Sequence, residues 1–267
     1  VGVAVDLAAV VELVHGASLL HDDVVDVSDR RRGNPTVNHV EGNAFAVLCG
    51  DLVLARALST LPAMHNGGRL VGDALDVVAR MTAAAVIEVD ARGRLPERER
   101  GLPLWREMAA GKTGALFGLC ATVMGHAGDV AEDVVVDACR RLERYGVAFQ
   151  IVDDLKDLTG ADDGKPRGQD VRERALNHPL LYAVADNDSF AADVASAWHK
   201  QGSIADDVVI AICERAMQLG GARAIAEARA AVDDSDGAAA AGLVVINAWA
   251  RGLVEQATAL VPAGAGR

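Results

Sequence analysis

The chain has 267 residues, 51% hydrophobic and only 3% aromatic, which is enough apolar side chain for one large core and excludes disorder for its bulk. Its 38 acidic and 26 basic residues give a formal charge of −12, which excludes nucleic acid as a partner, because that affinity rests on a basic surface. The apolar residues are mostly Ala, Val and Leu, and 24% charged residues suffice for one wet face on each of many helices, so the expected class is all-α.

In chain order, periodicity predicts a first helix over about residues 3–27, broken by the polar stretch Ser28 to Pro35. Its apolar start lacks a basic leader and is interrupted by Asp6, Glu12 and His15. It therefore reads as a core helix already under way at residue 1, with chain expected upstream, and no transmembrane segment is expected. A second helix covers about 40–61 and ends at Pro62, and a third covers 71–91, followed by a charged loop over 92–103. A fourth over 104–126 carries Lys112 and Thr113, and a fifth over 131–158 precedes a loop at 160–168 rich in Gly, Asp and Pro. Shorter helices are predicted at 179–184, 190–200, 204–219 and 222–231, and a last one at 242–260. No linker is long enough to divide the chain, so residues 1–267 read as a single helical domain. Cys49, Cys120, Cys139 and Cys213 are far apart and lack any zinc-like spacing, which points to buried free thiols and a reducing, cytoplasmic setting.

Two acidic clusters carry the chemistry. Asp22 and Asp26 are four residues apart, so their carboxylates lie on one helix face a turn apart, with Asp23 about 100° round the axis. Carboxylates about 6 Å apart repel by about 3 kcal/mol at an effective dielectric of about 20, and a helix C-terminus disfavours anions further. Alone, this cluster reads more readily as a solvated acidic helix end than as a cation site. Asp153, Asp154 and Asp157 repeat the same spacing inside a second apolar helix. Two such helices face to face would make an oxygen-only cage for hard cations such as Mg²⁺, shared with waters and substrate phosphates, so a diphosphate substrate is implied. Arg30-Arg31-Arg32-Gly33, Lys112 and Lys165 are the cations that such a substrate needs.

The segment Leu19 to Asp26, with Arg31-Arg32-Gly33-Asn34-Pro35-Thr36-Val37, resembles the first aspartate-rich motif of the trans-type isoprenyl diphosphate synthases. Gly50 to Ala57 is similar to that family's next helix, and Lys112-Thr113-Gly114-Ala115-Leu116 to its central Lys-Thr motif. Phe149 to Asp157, then Gly164 to Asp170, resembles the second motif and its trailing loop, so the ordered matches span about residues 11–182. The resemblance implies a bundle of mainly antiparallel helices around a deep apolar cavity, the isoprenoid synthase fold, with its N-terminal helices missing here, assembled as a homodimer. It implies head-to-tail condensation of an allylic prenyl diphosphate with isopentenyl diphosphate. Magnesium would be the cofactor, three ions with substrate bound and manganese as the alternative, held by Asp22, Asp26 and Asp153, with Asp23, Asp154 and Asp157 as ligands or support. Lys112, Arg31 and Lys165 would hold diphosphate, Arg32 isopentenyl diphosphate, and Thr113 and Gln150 would line the reacting end, while His21 is read as packing or balancing charge.

In this family the tail runs back along the helix of the first cluster, so Val14, Ala17 and Ser18 would form the floor; all are small or medium, which implies a product of C20 or longer. The family's upstream Gly-Lys-Arg segment is missing, Ala175 stands where it has Lys beside Arg174, and no basic cluster closes the C-terminus. Two other readings stay open, a class I terpene cyclase and a non-catalytic partner subunit of a heteromeric synthase. Phe45, Leu48, Leu52 and Ala55 form the apolar stripe on which a dimer, or ordinary core packing, would draw.

Overall fold

The computed structural model describes residues 2–161, 166–233 and 243–262. Among them are twelve α-helices: α1 (Gly2–Val25), α2 (Val37–Glu41), α3 (Asn43–Thr60), α4 (Gly67–Ala91), α5 (Arg98–Ala109), α6 (Ala115–Ala127), α7 (Glu132–Thr159), α8 (Gln169–Glu173), α9 (His178–Asp186), α10 (Asp188–His199), α11 (Asp206–Val232) and α12 (Val244–Thr258). A π-helical turn, Ala110–Gly114, joins α5 to α6 without a break. The all-α expectation holds, with one addition. Arg30–Arg31 and Asn34–Pro35 pair as a small antiparallel hairpin, turned by Arg32 and Gly33 at φ 49° and 80°, the left-handed pair that a two-residue hairpin requires.

The core has two parts. Around α7, α9 and α11, apolar residues at helical spacing such as Ile151, Leu155 and Leu158 pack with Leu180, Val209, Ala216 and Ala224. Between α1, α3, α4 and α6 a smaller cluster joins Leu7, Val10 and Val14 to Leu61, Leu70, Ala74, Leu119 and Val123. The acidic motifs lie where these two parts meet.

Several boundaries differ from the sequence reading for definable reasons. The helix expected over 40–61 is two, because Gly42 at φ 88° breaks α2 from α3. The two helices expected over 204–231 are one. Gly220 and Gly221 read as a break, yet a Cβ at Gly220 would collide with the Pro179 carbonyl oxygen, so its lack of side chain seats α9 on α11. The charged stretch from Arg98 forms the first turns of α5, with Glu99 placed favourably at the helix start. The first helix is a core helix on one side only: Leu7, Val10, Val14 and Ala17 are buried along one stripe, while Val3, Val5 and Leu13 on the outer side are exposed. By length and composition, α1 and Asn43–Ala63 are apolar enough to cross a membrane. Nor are the cysteines uniformly buried: all four are free, but only Cys213 is buried and Cys120 is exposed.

Candidate active site

The π-turn organises the site. Gly111 faces Ala84 of α4, where a Cβ would come within 2.7 Å of that methyl. Gly114 and Gly146 approach so closely that a Cβ on Gly146 would lie 2.7 Å from the Gly114 Cα. Small residues thus let the turn wedge between α4 and α7, and its two central residues point to different helices. Lys112 Nζ lies 2.8 Å from Glu88 Oε2 of α4 and 3.5 Å from Asp22 Oδ1 of α1. The Thr113 hydroxyl donates to Gln150 Oε1 of α7 at 3.0 Å, and the Gln150 amide in turn donates to Asp154 Oδ1 at 3.1 Å. Adjacent residues therefore reach both acidic clusters.

At the first cluster each aspartate meets a cation. Asp22 meets Lys112, Asp26 receives Arg92 Nη2 at 2.7 Å, and the buried Asp23 receives Arg31 Nε and Nη2 at 2.9 and 2.8 Å. Glu88 stands between Lys112 and Arg92, so four carboxylates face three cations. The Asp22 carboxyl is raised above its ordinary value by burial, with Asp26 and Glu88 adding to the rise and Lys112 opposing it. Burial works against the Lys112 charge, but Glu88 and Asp22 outweigh it and hold the ammonium above the ordinary lysine value. Arg92 is likewise raised, burial being outweighed by Asp26. Sequence reasoning missed Glu88 and Arg92; their signal was an opposite-charge pair four residues apart at the end of a helix.

At the second cluster Asp154 is buried and accepts three bonds, from Gln150, from Trp105 Nε1 at 2.9 Å and from the His178 N–H at 2.7 Å. Asp157 accepts the N–H groups of Gln169 and Asp170 at 2.8 and 3.3 Å, tying α7 to the start of α8. Asp153 lies half-buried on α7. Burial, reinforced by neighbouring carboxylates, pushes both Asp154 and Asp170 well above the ordinary range. Asp154 and Asp157 thus each accept hydrogen bonds from within the protein.

The remaining predicted residues divide. Arg32 is exposed at the tip of the hairpin, whereas Arg31 is committed to Asp23. Lys165 lies outside the described residues. Arg174 does not stand in for the missing lysine charge beside Ala175: at φ 56°, it sends its guanidinium to the carbonyls of Trp198, Lys200 and Gly202. His21 packs on Gly50, with its Nε2 3.3 Å from Asp51 Oδ1. Behind Asp22, Ala17 and Val14 are each 2% exposed, and Ser18 is half-buried with its hydroxyl on the His15 carbonyl.

The donor set suits a hard cation: the side chains are carboxylate oxygens in excess over local positive charge. Among the described residues no three acidic, histidine or cysteine side chains converge tightly enough to hold an ion alone. Mg²⁺ would take one or two such carboxylates and complete its shell with water and substrate phosphate.

The polyprenyl synthetase family model matches residues 2–215. The chain is 34% identical over 219 residues to geranylgeranyl diphosphate synthase of Mycobacterium tuberculosis, covering 78% of this chain and 60% of that protein. It is 31% identical over 197 residues to heptaprenyl diphosphate synthase component 2 of Geobacillus stearothermophilus, covering 71% and 58%. The crystal structure of a decaprenyl diphosphate synthase from Rhodobacter capsulatus superposes with a TM-score of 0.79 at 31% identity, over 95% of this chain and 79% of that one. The chain spans 42–60% of the length of such curated relatives. With two ordered acidic motifs joined by a Lys-Thr turn and a match over most of its length, the chain belongs to the polyprenyl synthetase family.

Proposed function

We propose that this protein condenses an allylic prenyl diphosphate with isopentenyl diphosphate, head to tail, to give an all-trans product of C20 or longer. The observation that carries this is the Lys112–Thr113 turn, which links Asp22 to Asp154 across three helices and so builds one site from two motifs. Asp22, Asp26 and Asp153 would hold magnesium, with manganese as a substitute. Bound magnesium supplies Lewis-acid neutralisation of the leaving diphosphate. Lys112, already charged at the mouth of the first cluster, moves from Glu88 onto that diphosphate, and Arg32 is exposed to take the second substrate. Thr113 and Gln150 border the reacting carbon, and no side-chain nucleophile is required. The departing diphosphate takes the proton that the condensed carbocation loses.

Phe45, Leu48 and Leu52 are 51%, 66% and 60% exposed, so the stripe on α3 is not core packing; it supports assembly with a second copy. The relative named as a component of heptaprenyl diphosphate synthase favours a second reading, in which the stripe meets a different subunit. Four free cysteines support a reducing, cytoplasmic location.

The test is incubation with Mg²⁺, isopentenyl diphosphate and each allylic primer, with products identified by mass spectrometry. Chelator should abolish turnover. Asp22→Asn and Asp153→Asn should each lower kcat by about 10², about 2.7 kcal/mol of transition-state stabilisation, with far-UV spectra unchanged. Full activity in both variants would refute the metal role, and activity only on adding a second polypeptide would select the partner reading.

A further inference from the structure

Trp105 and Arg106 are consecutive on α5, yet they anchor to different helices. The Trp105 indole N–H donates to Asp154 Oδ2 of α7 at 2.9 Å, and both residues are buried. Arg106 Nε and Nη2 reach Glu227 of α11 at 2.6 and 2.8 Å. Between these anchors lies His178, fully buried, whose backbone N–H meets the same Asp154 oxygen at 2.7 Å while its Nε2 lies 3.1 Å from Glu227 Oε2. The imidazole is packed between the Trp105 ring at 4.4 Å and the Tyr182 ring at 5.1 Å, and the Tyr182 hydroxyl donates to Glu227 at 2.6 Å.

A leucine or phenylalanine at this site would bring no donor, whereas the indole does, and its N–H is aimed at a carboxylate. The helix that carries Trp105 runs unbroken into the turn bearing Lys112 and Thr113. We propose that Trp105 is a positioning residue for the acidic motif of α7: its indole N–H fixes the Asp154 carboxylate and thereby sets Asp153 relative to the Lys112–Thr113 turn. His178, its imidazole beside Glu227, supplies a second donor to the same oxygen from its backbone N–H. Asp154 is therefore a post inside the protein, and the neighbouring Asp153 is the residue presented to metal and diphosphate. This rests on the prenyl-transfer reading for its activity readout but not for its spectroscopic one.

The experiment uses the full chain labelled with ¹⁵N-tryptophan, the Trp105 indole resonance being identified by its loss in Trp105→Phe. Addition of Mg²⁺ with inorganic pyrophosphate should shift that resonance in the wild type, and Asp153→Asn should suppress the shift. In turnover, Trp105→Phe should raise the Mg²⁺ concentration for half-maximal rate about tenfold, as loss of a residue supporting a metal ligand does, with kcat at saturating Mg²⁺ largely retained. An indole resonance that ignores Mg²⁺ and pyrophosphate, or a Trp105→Phe enzyme with unchanged Mg²⁺ dependence, overturns the assignment. If Trp105→Phe fails to fold, Trp198→Phe and Trp249→Phe identify the other two indole resonances by their loss, and the wild-type and Asp153→Asn titrations still decide. A shifting resonance without prenyl transfer would retain the positioning role and sink the activity instead.

Discussion

Glu88 holds Lys112 at 2.8 Å and lies 4.0 Å from Arg92, so one carboxylate on α4 reaches two of the three cations that face the first acidic motif. Without it, Lys112 would collapse onto Asp22, 3.5 Å away, and compete for that oxygen with the metal proposed there. Glu88→Gln should therefore raise the Mg²⁺ requirement and lower kcat/KM for the allylic substrate about tenfold, about 1.4 kcal/mol. Steady-state kinetics across Mg²⁺ concentrations check this; unchanged kinetics would show that Lys112 is held by Asp22 alone.

The Glu227 carboxyl provides a pH test away from the acidic motifs. Burial raises it, but the donors Arg106, His178 and Tyr182 win and hold it well below the ordinary 4.5. A carboxyl lowered on folding contributes stability that is present above 4.5 and is lost as pH falls through the folded value. Glu227→Gln should cost about 2 kcal/mol at pH 7, and the gap from wild type should close on the acid side of 4.5. Urea titrations of both proteins over pH 3–7 measure this difference, about 2 kcal/mol at the upper end. A constant gap would mean that Glu227 acts through packing.

Much of this was legible in the sequence because it is periodic or stoichiometric. The spacing of Asp22 and Asp26, repeated at Asp153 and Asp157, needs no structure, and the long apolar stripes of α4 and α7 give their helices directly. Close backbone approaches were hidden. Gly220 reads as a helix break until Pro179 is found against it, and the glycines of the π-turn read as local irregularity until α4 and α7 are in place. Counter-ions were hidden too: Arg92 is remote from Asp26 in sequence, and Arg31 reads as a free phosphate ligand until Asp23 is seen beneath it. The network of Trp105, His178 and Glu227 draws on three helices and has no local pattern to reveal it.

Two glycines in helices make a paired test of that point. Gly220→Ala forces a methyl against the Pro179 carbonyl oxygen and should destabilise by about 2 kcal/mol, lowering Tm by about 4–8 °C. Gly72, inside α4, has open space where a Cβ would stand, and Gly72→Ala should stabilise by about 0.5–1 kcal/mol through helix propensity alone. Thermal unfolding of the two variants should move in opposite directions; parallel shifts would place α9 elsewhere on α11.

Product length is the sharpest test of where the prenyl tail lies. Ser18 is one helical turn before Asp22, about 6 Å along α1, and therefore on the same face. It is half-buried, whereas Ala17 beside it is 2% exposed, and Val14, a further turn down, is 2% exposed and belongs to the smaller core with Leu61, Leu70 and Leu119. A ring at Ala17 would press into packed neighbours and cost about 1–3 kcal/mol of overpacking, so a shorter product from Ala17→Phe would mix strain with blockage. Ser18→Phe separates the two, because Ser18 is half-buried where Ala17 is buried. It should stop growth after fewer condensations, shifting the product below that of the wild type, with Tm lowered by less than in Ala17→Phe. The first condensation should persist, since Lys112 and both acidic motifs are untouched. An unaltered product spectrum in Ser18→Phe, or a wild type that already stops short of C20, would mean that the tail does not follow α1 and that another helix sets the floor.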